Sequence, residues 1–263
     1  MWDGVWIAIP AYNEEHTIRG LAEAALSICP RVMVIDDGST DATAARVRDL
    51  PITLLEHVAN RGKAASLCTA FGHALARDAR CVVTIDGDGQ HDPADTPGLL
   101  RAWHERPQCI VIGARLHDAA SIPRARYLAN RFACFWISWA AGHAIADSQS
   151  GFRVYSKDVM AIAVGDRVRG SGFTFESEIL IEAAQRGHPT RAVRTAARYP
   201  IGARASHYRA VADTAKIVVM VGGRLLRQGL NLRGLWHSLR RVDEMSERIE
   251  PVSASQGRLP STE

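Results

Sequence analysis

The sequence lacks the features of secreted, membrane-spanning and nucleic-acid-binding proteins. Its five cysteines are an odd number without CxxC spacing, which is typical of reduced core residues in a cytosolic protein. Residues 1–10 have no basic segment of a signal peptide, and the longest uncharged apolar run, residues 132–146, is too short to span a bilayer. A net charge of +4 is too small to indicate a nucleic-acid partner. We therefore expect a cytoplasmic protein with one large core.

Acidic residues are absent between Asp213 and Asp243. Four apolar residues of this segment fall on one face of a helix: Leu232, Leu235, Trp236 and Leu239. The same segment carries six cations: Lys216, Arg224, Arg227, Arg233, Arg240 and Arg241. The pattern is typical of an amphipathic helix that lies on an anionic membrane. It also fits a helix that packs against the rest of the chain or against a second copy, and both interpretations stay open.

Short β-branched runs alternate with helical segments over the first 115 residues. We predict strands at residues 5–9, 31–35, 52–56, 81–85 and 110–115, and helices at residues 15–28, 42–50 and 64–77. Asn13 is the predicted N-cap of the first helix. Further strand and helix starts follow near residues 154 and 173. This order predicts an α/β fold with a doubly wound, mostly parallel sheet of Rossmann-like type.

Oxygen ligands follow the strand at residues 81–85. Asp86 and Asp88 are two apart, so in an extended segment both carboxylates leave the same face and can converge on one cation. Gln90 continues the ligand-rich loop, and such ligands suit Mg²⁺ or Mn²⁺. Other strand ends carry polar residues too: Asp36, Asp37 and Arg115. Ligands of doubly wound sheets bind at this edge, although an isolated Asp-Gly-Asp-Gly is also an ordinary polar turn.

Two further patterns have more than one interpretation. Arg61 and Lys63 stand at the start of a predicted helix, where they either hold a phosphate or form a solvated pair. Four aromatic residues form one helical stripe: Phe132, Phe135, Trp136 and Trp139. Such a stripe is usually core, but it also suits contact with a lipid or a membrane.

Five motifs in order resemble the family 2 glycosyltransferases, and most nearly their dolichyl-phosphate mannose synthase and polyprenyl-phosphate glycosyltransferase branch. They are IPAYNEE at residues 9–15, DDGSTD at 36–41, NRGK at 60–63, DGDGQH at 86–91 and DSQSGFR at 147–153. The resemblance extends from about residue 5 to residue 215. It implies a GT-A fold and metal-dependent, inverting transfer of a sugar from a nucleotide-diphosphate sugar.

The resemblance also implies roles for individual residues. The nucleotide pocket would contain Pro10, Tyr12, Glu14 and Asp37, and the phosphates would be held by Arg115, by one of Arg124 and Arg131, and by Lys63. Asp86 matches the first acid of the family's DxD motif and would contact both the donor and the metal. Asp88 matches the second, catalytic and metal-binding acid, and Gln90 matches a further metal ligand. The implied cofactor is Mg²⁺ or Mn²⁺.

The acceptor site is implied by the same resemblance. Its contacts would come from Ser150 and from a mobile loop with Arg204, Ser206 and His207, for which a plain basic surface loop is the alternative. An alcohol acceptor needs a base, and Asp147 is the first candidate and Glu178 the second; at Glu178 a favourable helix-dipole position is a sufficient structural reason. A lipid phosphate is already anionic and needs none.

These arguments lead to one set of expectations. We expect a glycosyltransferase domain at residues 1–210, with a nucleotide-sugar half at 1–115 and an acceptor half at 116–210, a basic helical region at 211–245 and a disordered tail at 246–263. The expected donor is a UDP- or GDP-sugar and the acceptor a polyprenyl phosphate, with a hydroxyl of a lipid, glycan or pigment precursor as the alternative. The enzyme would lie peripherally on the inner face of the cell membrane, and a homodimer is compatible with the sequence. A sugar-binding module without catalysis is disfavoured by the intact acids, and a nucleotidyltransferase by the acidic first loop.

Overall fold

The structure is a computed structural model that describes residues 2–115, 124–165, 168, 173–195, 210–227 and 229–241. The strands are β1 (Val5–Ala11), β2 (Val32–Asp36), β3 (Thr53–Glu56), β4 (Cys81–Thr84), β5 (Ile110–Ala114), β6 (Arg153–Ser156) and β7 (Thr190–Arg194). The helices are α1 (Ile18–Leu26), α2 (Thr43–Val47), α3 (Lys63–Leu75), α4 (Thr96–Glu105), α5 (Arg124–Ala141), α6 (Lys157–Val164), α7 (Phe173–Gln185), α8 (Ala210–Arg227) and α9 (Leu232–Arg241). Short 3-10 helices at Pro93–Asp95 and Gly229–Asn231 precede α4 and α9.

Within the described residues, seven strands form one sheet in the order β3-β2-β1-β4-β6-β5-β7. Neighbouring strands are parallel except at β6, which runs antiparallel to both β4 and β5. The carboxyl ends of β1, β2, β4 and β5 therefore lie at one edge, and β6 begins at that same edge. The predicted mostly parallel α/β sheet is confirmed. The antiparallel strand brings the loop before it, residues 147–152, to the edge where the parallel strands end.

Both faces of the sheet bury side chains, because successive residues of each strand point to opposite faces and each face is covered by a layer of helices. On one face, Ala8, Met33 and Val82 pack with helices that include α3, α5 and α7. On the other face, Ile7, Val34 and Val83 pack with helices that include α1 and α4. Near-continuous apolar strands are expected in a sheet covered on both sides.

Some local predictions are corrected by the structure. The first helix begins at Ile18, and Thr17 rather than Asn13 occupies its N-cap position. Asn13 has a positive φ of 57°, and its Oδ1 accepts a hydrogen bond of 2.8 Å from the backbone N of Thr40. This residue therefore joins the loop after β1 to the loop after β2. Strand β7 and helix α6 were not predicted, because the strand has only two apolar residues, Ala192 and Val193, between two arginines, and the helix has only eight residues.

The aromatic stripe of α5 is not its core face. The residues of α5 that are fully or almost fully buried have smaller side chains: Asn130, Ala133, Cys134, Ile137, Ser138 and Ala140. Phe132 is 51% exposed, and the other three aromatic side chains are half-buried on the flank of the core. Their rings contact one another at centroid distances of 5.3 to 6.2 Å. Among the described helices, none is both long and apolar enough to cross a membrane.

Candidate active site

An ion-paired cluster links three separate elements at the carboxyl edge of the sheet. The Nζ of Lys63, the first residue of α3, lies 2.6 Å from Asp86 Oδ1 and 2.9 Å from Glu176 Oε2. Burial alone would lower the pKa of Lys63, but the two carboxylates outweigh it and raise that pKa. Burial likewise opposes ionisation of Asp86, and the neighbouring ammonium outweighs it and lowers the Asp86 pKa. Lys63 and Asp86 are therefore both charged at neutral pH.

Asp86 also lies against the backbone of the loop before β6. A Cβ placed on Gly151 would lie 2.3 Å from Asp86 Oδ2 and 2.4 Å from Oδ1. The loop is fixed there, because Thr84 Oγ1 donates a 2.7 Å hydrogen bond to the carbonyl oxygen of Gly151. The position thus requires glycine for close approach rather than for backbone conformation.

A buried arginine, Arg153, is hydrogen-bonded to the backbone of the same loop. Arg153 has no exposed surface, and its guanidinium donates to the carbonyl oxygens of Ser150 and Ser148 at 2.7 Å each. It also donates to the hydroxyl of Tyr155 at 3.0 Å. A buried guanidinium is costly unless its N–H groups are hydrogen-bonded, and these carbonyl and hydroxyl oxygens supply the acceptors. Our residue predictions gave Arg153 no role, although an arginine at the start of a buried strand is a signal that could have found it.

The two acids of the DxD motif differ in their electrostatics. Burial and the adjacent charge of Asp86 raise the pKa of Asp88. Asp88 Oδ1 accepts a 3.0 Å hydrogen bond from the backbone N of Gln90, which turns the loop. A carboxylate whose ionisation is opposed by burial and by a second carboxylate is a favourable place for a divalent cation.

The donor set fits a metal that the protein binds through few ligands. In the part of the chain that the structure describes, no three His, Cys, Asp or Glu side chains are grouped so that they could enclose an ion. Mg²⁺ and Mn²⁺ in nucleotide-dependent enzymes commonly take one or two carboxylates together with substrate phosphates and water. Asp86, Asp88 and Gln90 supply such oxygens, of which Lys63 engages one at Asp86 and Arg115 lies 3.4 Å from the Oε1 of Gln90.

Arg115 and Asp147 form a second ion pair next to this loop. The side chain of Arg115 donates to Asp147 Oδ2 at 3.3 Å, and its backbone N donates to the same oxygen at 3.1 Å. Arg115 also reaches Gln90 Oε1 at 3.4 Å. Asp147 is completely buried, which opposes its ionisation, but Arg115 and the backbone hydrogen bonds outweigh burial and lower its pKa. Asp147 is therefore a carboxylate with reduced basicity.

Asp37 stabilises the turn that precedes α3. Its carboxylate accepts hydrogen bonds from the backbone N of Gly62 at 2.7 Å and of Arg61 at 3.0 Å. Asp37 Oδ1 also lies 2.7 Å from His57 Nδ1. With only 3% of its surface exposed, Asp37 supports the turn that delivers Lys63 to Asp86. A contact between Asp37 and the nucleotide stays a prediction.

The loop after β1 occupies the neighbouring position. Pro10 is buried, and its carbonyl oxygen accepts a 3.3 Å hydrogen bond from the backbone N of Gly87. Tyr12 and Glu14 are half-buried, and the backbone N of Glu14 donates to Thr43 Oγ1 at 2.8 Å. Pro10 therefore contacts the DxD loop, and Glu14 contacts the first residue of α2. Their contact with a nucleotide stays a prediction.

Two predicted site residues have placements that argue against their roles. Ser150, a predicted acceptor contact, is completely buried, and its Oγ lies 3.5 Å from His91 Nε2. Burial lowers the pKa of His91 to about 3, so this ring is neutral. Glu178, the second candidate base, is 8% exposed and lies 3.7 Å from the guanidinium of Arg224 on α8. The acid of α7 that reaches the active site is Glu176, two residues earlier, which our assignment of roles had missed.

Of the remaining predicted residues, only Arg131 has a described side chain. Arg131 is exposed on α5 and donates to the hydroxyl of Tyr127 at 3.3 Å. Arg124 begins α5, but its side chain is outside the description. Arg204, Ser206 and His207, the predicted acceptor loop, lie outside the described residues. Their roles stay predictions.

The chain is similar to proteins of a known family. A family model described as Glycosyl transferase family 2 matches residues 6–161. A UDP-N-acetylglucosamine--dolichyl-phosphate N-acetylglucosaminyltransferase of Methanococcus voltae is 26% identical over 198 residues, which cover 67% of this chain and 78% of the relative. Polyprenol monophosphomannose synthase of Mycolicibacterium smegmatis is 26% identical over 192 residues, which cover 69% of this chain and 72% of the relative.

A solved structure shows the same fold. Glucosyl-3-phosphoglycerate synthase from Mycobacterium tuberculosis, in complex with Mn²⁺, UDP-glucose and phosphoglyceric acid, has a TM-score of 0.63 and 20% identity to this chain. The match covers 84% of this chain and 79% of that one. The motifs, the sheet and the family match agree with one another. The chain belongs to glycosyl transferase family 2, and it is a glycosyltransferase with a GT-A-like fold.

Proposed function

We propose that this enzyme transfers a sugar from a UDP- or GDP-sugar to a prenyl phosphate at the cytoplasmic face of a membrane, with inversion at the anomeric carbon. The observation that carries the proposal is that both candidate bases are paired with arginines. Asp147 contacts Arg115, and Glu178 lies near Arg224. At Asp147 the pairing lowers the pKa of the carboxyl group and makes it a weaker proton acceptor. A phosphate acceptor, which is already anionic, needs no base. The names of the two curated relatives support the same acceptor class.

The chemistry of the step follows from that acceptor. An acceptor phosphate oxygen forms a bond to C1 of the sugar, and the bond from C1 to the donor diphosphate breaks. The electron pair of that bond leaves with the nucleoside diphosphate. Because the attacking phosphate oxygen is already anionic, no proton has to be removed. The protein's main task is then to stabilise the charge that grows on the leaving diphosphate.

The described residues suit that task. Arg115 carries a guanidinium beside the DxD loop, where two parallel N–H groups can hold a phosphate. Lys63 acts through Asp86, which it orients from one side while Gly151 limits it from the other. Asp88 and Gln90 would hold Mg²⁺ or Mn²⁺, which when bound neutralises negative charge on the diphosphate. Pro10, Tyr12, Glu14 and Asp37 border the position proposed for the nucleotide.

Transfer to prenyl phosphate is the direct test. Purified protein is incubated with Mn²⁺ or Mg²⁺, a panel of radiolabelled UDP- and GDP-sugars, and a short-chain prenyl phosphate or the matching prenyl alcohol. We expect butanol-extractable label with the prenyl phosphate but not with the prenyl alcohol. No label should form after the metal is chelated. Asp88→Asn should lower the rate at least a hundredfold, because loss of a group that stabilises transition-state charge has about that effect.

Asp92→Asn is the matched control in the same loop. Asp92 caps the 3-10 helix by accepting a 3.0 Å hydrogen bond from the backbone N of Ala94, and asparagine caps equally well. This variant should keep the full rate. Label in the prenyl alcohol, or donor hydrolysis without labelled prenyl phosphate, would overturn the proposed acceptor. A hydroxyl acceptor would then be indicated.

A further inference from the structure

We propose that the exposed ridge of α9, formed by Leu232, Trp236 and Leu239, docks the enzyme on an anionic lipid bilayer. The inference rests on the proposed function and deepens it, because an enzyme with a lipid acceptor has to work at a membrane surface. It depends on how α9 is packed, which the amphipathic pattern alone left open. The ridge is apolar although it points away from the protein.

The packed side of α9 is made of small residues. A Cβ on Gly234 would lie 2.4 Å from the carbonyl oxygen of Trp139 on α5, so the backbones of the two helices touch. Ser238, one turn later on the same side, has no exposed surface. Asn231 fixes the start of the helix, with Nδ2 3.1 Å from the Trp139 carbonyl oxygen and Oδ1 3.1 Å from the backbone N of Gly234. α9 is therefore held with its small residues inward.

The opposite side carries the large apolar residues. Leu232, Trp236 and Leu239 are 69%, 52% and 62% exposed. Their spacing of four and three places them on one face, on the side away from Gly234 and Ser238. Rotation of α9 cannot bury them, because larger side chains would have to replace Gly234 where the two backbones touch. A soluble surface normally has isolated apolar residues, not a ridge of them on one helix.

The charge of the region favours lipid over a second copy of the chain. No acidic residue occurs between Asp213 and Asp243, whereas α9 itself contains Arg233, Arg240 and Arg241. A symmetric contact between two such helices would bring like charges together. An anionic bilayer instead attracts the arginines and accepts the apolar ridge, and a Trp side chain suits the boundary between headgroups and acyl chains.

Sedimentation with vesicles tests the ridge. The full chain is mixed with vesicles of phosphatidylcholine, or of phosphatidylcholine and phosphatidylglycerol in equal parts. We expect binding to the anionic vesicles only, weakened by salt. Trp236→Gln should weaken binding about tenfold, and Leu232→Gln/Trp236→Gln/Leu239→Gln should abolish it. Val58→Gln is the matched control, because it removes an even more exposed apolar side chain outside α9 and should leave binding unchanged.

A second measurement separates this proposal from the proposed function. The triple variant should transfer sugar to a water-soluble short-chain prenyl phosphate as fast as wild type, and lose transfer to a long-chain prenyl phosphate in anionic vesicles. Transfer to the soluble acceptor without any vesicle binding by wild type would overturn the docking surface and leave the enzyme function intact. Vesicle binding without transfer to either acceptor would overturn the function and leave the docking surface intact. A wild-type dimer that becomes monomeric in the triple variant, with no vesicle binding, would assign the ridge to a second copy.

Discussion

Replacing Gly151 by alanine should disable the enzyme by moving Asp86. The new Cβ would lie 2.3 to 2.5 Å from the carboxylate atoms of Asp86. Ordinary contact requires about 3.5 Å, so the carboxylate must move by roughly 1 Å. The Gly151 backbone is unable to make room, because its carbonyl oxygen is held by Thr84 at 2.7 Å. Asp86 must therefore withdraw from Lys63, which lies 2.6 Å away on the same carboxylate.

The size of the effect follows from that displacement. A misplacement of about 1 Å in a catalytic arrangement lowers the rate about a hundredfold, or about 2.7 kcal/mol of transition-state stabilisation. Overpacking of this kind also lowers the free energy of unfolding by about 1–3 kcal/mol. We therefore expect kcat/KM for the donor to fall about a hundredfold in a protein that still folds.

The assay compares Gly151→Ala with Gly72→Ala. Gly72 lies on the exposed side of α3, the helix that begins with Lys63, and a Cβ there would meet nothing within 4 Å. Gly72→Ala should raise the free energy of unfolding by about 0.5–1 kcal/mol and leave kcat/KM unchanged. Sugar transfer and urea unfolding are measured for both variants. If Gly151→Ala keeps kcat/KM near that of Gly72→Ala, the close packing of Gly151 on Asp86 is not part of the working site.

Two further predictions concern the buried charges. Lys63→Met leaves the carboxylates of Asp86 and Glu176 facing each other without a cation, and should lower the free energy of unfolding by about 3 kcal/mol and abolish transfer. Lys157→Met, which removes an exposed pair with Asp78, should leave the unfolding midpoint and the activity unchanged in the same urea and transfer assays. Asp147 has a folded pKa below its unfolded value, so its charge stabilises the fold above the unfolded pKa, and this stabilisation is lost as the pH falls towards the folded pKa. The free energy of unfolding in urea should therefore fall steeply below about pH 4. Asp147→Asn should have a lower free energy of unfolding at neutral pH and a shallower dependence of it on pH. An unchanged pH slope in Asp147→Asn would contradict the assigned pKa shift.

The sequence by itself determined the elements and the identity of the site. Apolar runs of strand length and the turn residues after them are local signals, so the first five strands were predicted within a residue or two. Because parallel strands end at a common edge, the clustering of Asp37, Asp86 and Arg115 at one side also followed from the order of elements. The motifs then indicated the glycosyltransferase family, and the family model that matches residues 6–161 confirms it.

Tertiary structure decided which of those residues face one another. The reversal of β6 brings Gly151 onto Asp86. Contacts between residues about 23 to 113 positions apart join Lys63 to Asp86 and Glu176, and Asp37 to the turn before Lys63. No local pattern encodes such pairings, and so Ser150 was expected at the acceptor although it is buried. The amphipathic pattern of α9 likewise fixed an apolar face without saying which face packs. Gly234 decides that, because only a side without side-chain bulk allows the helix backbone to touch α5.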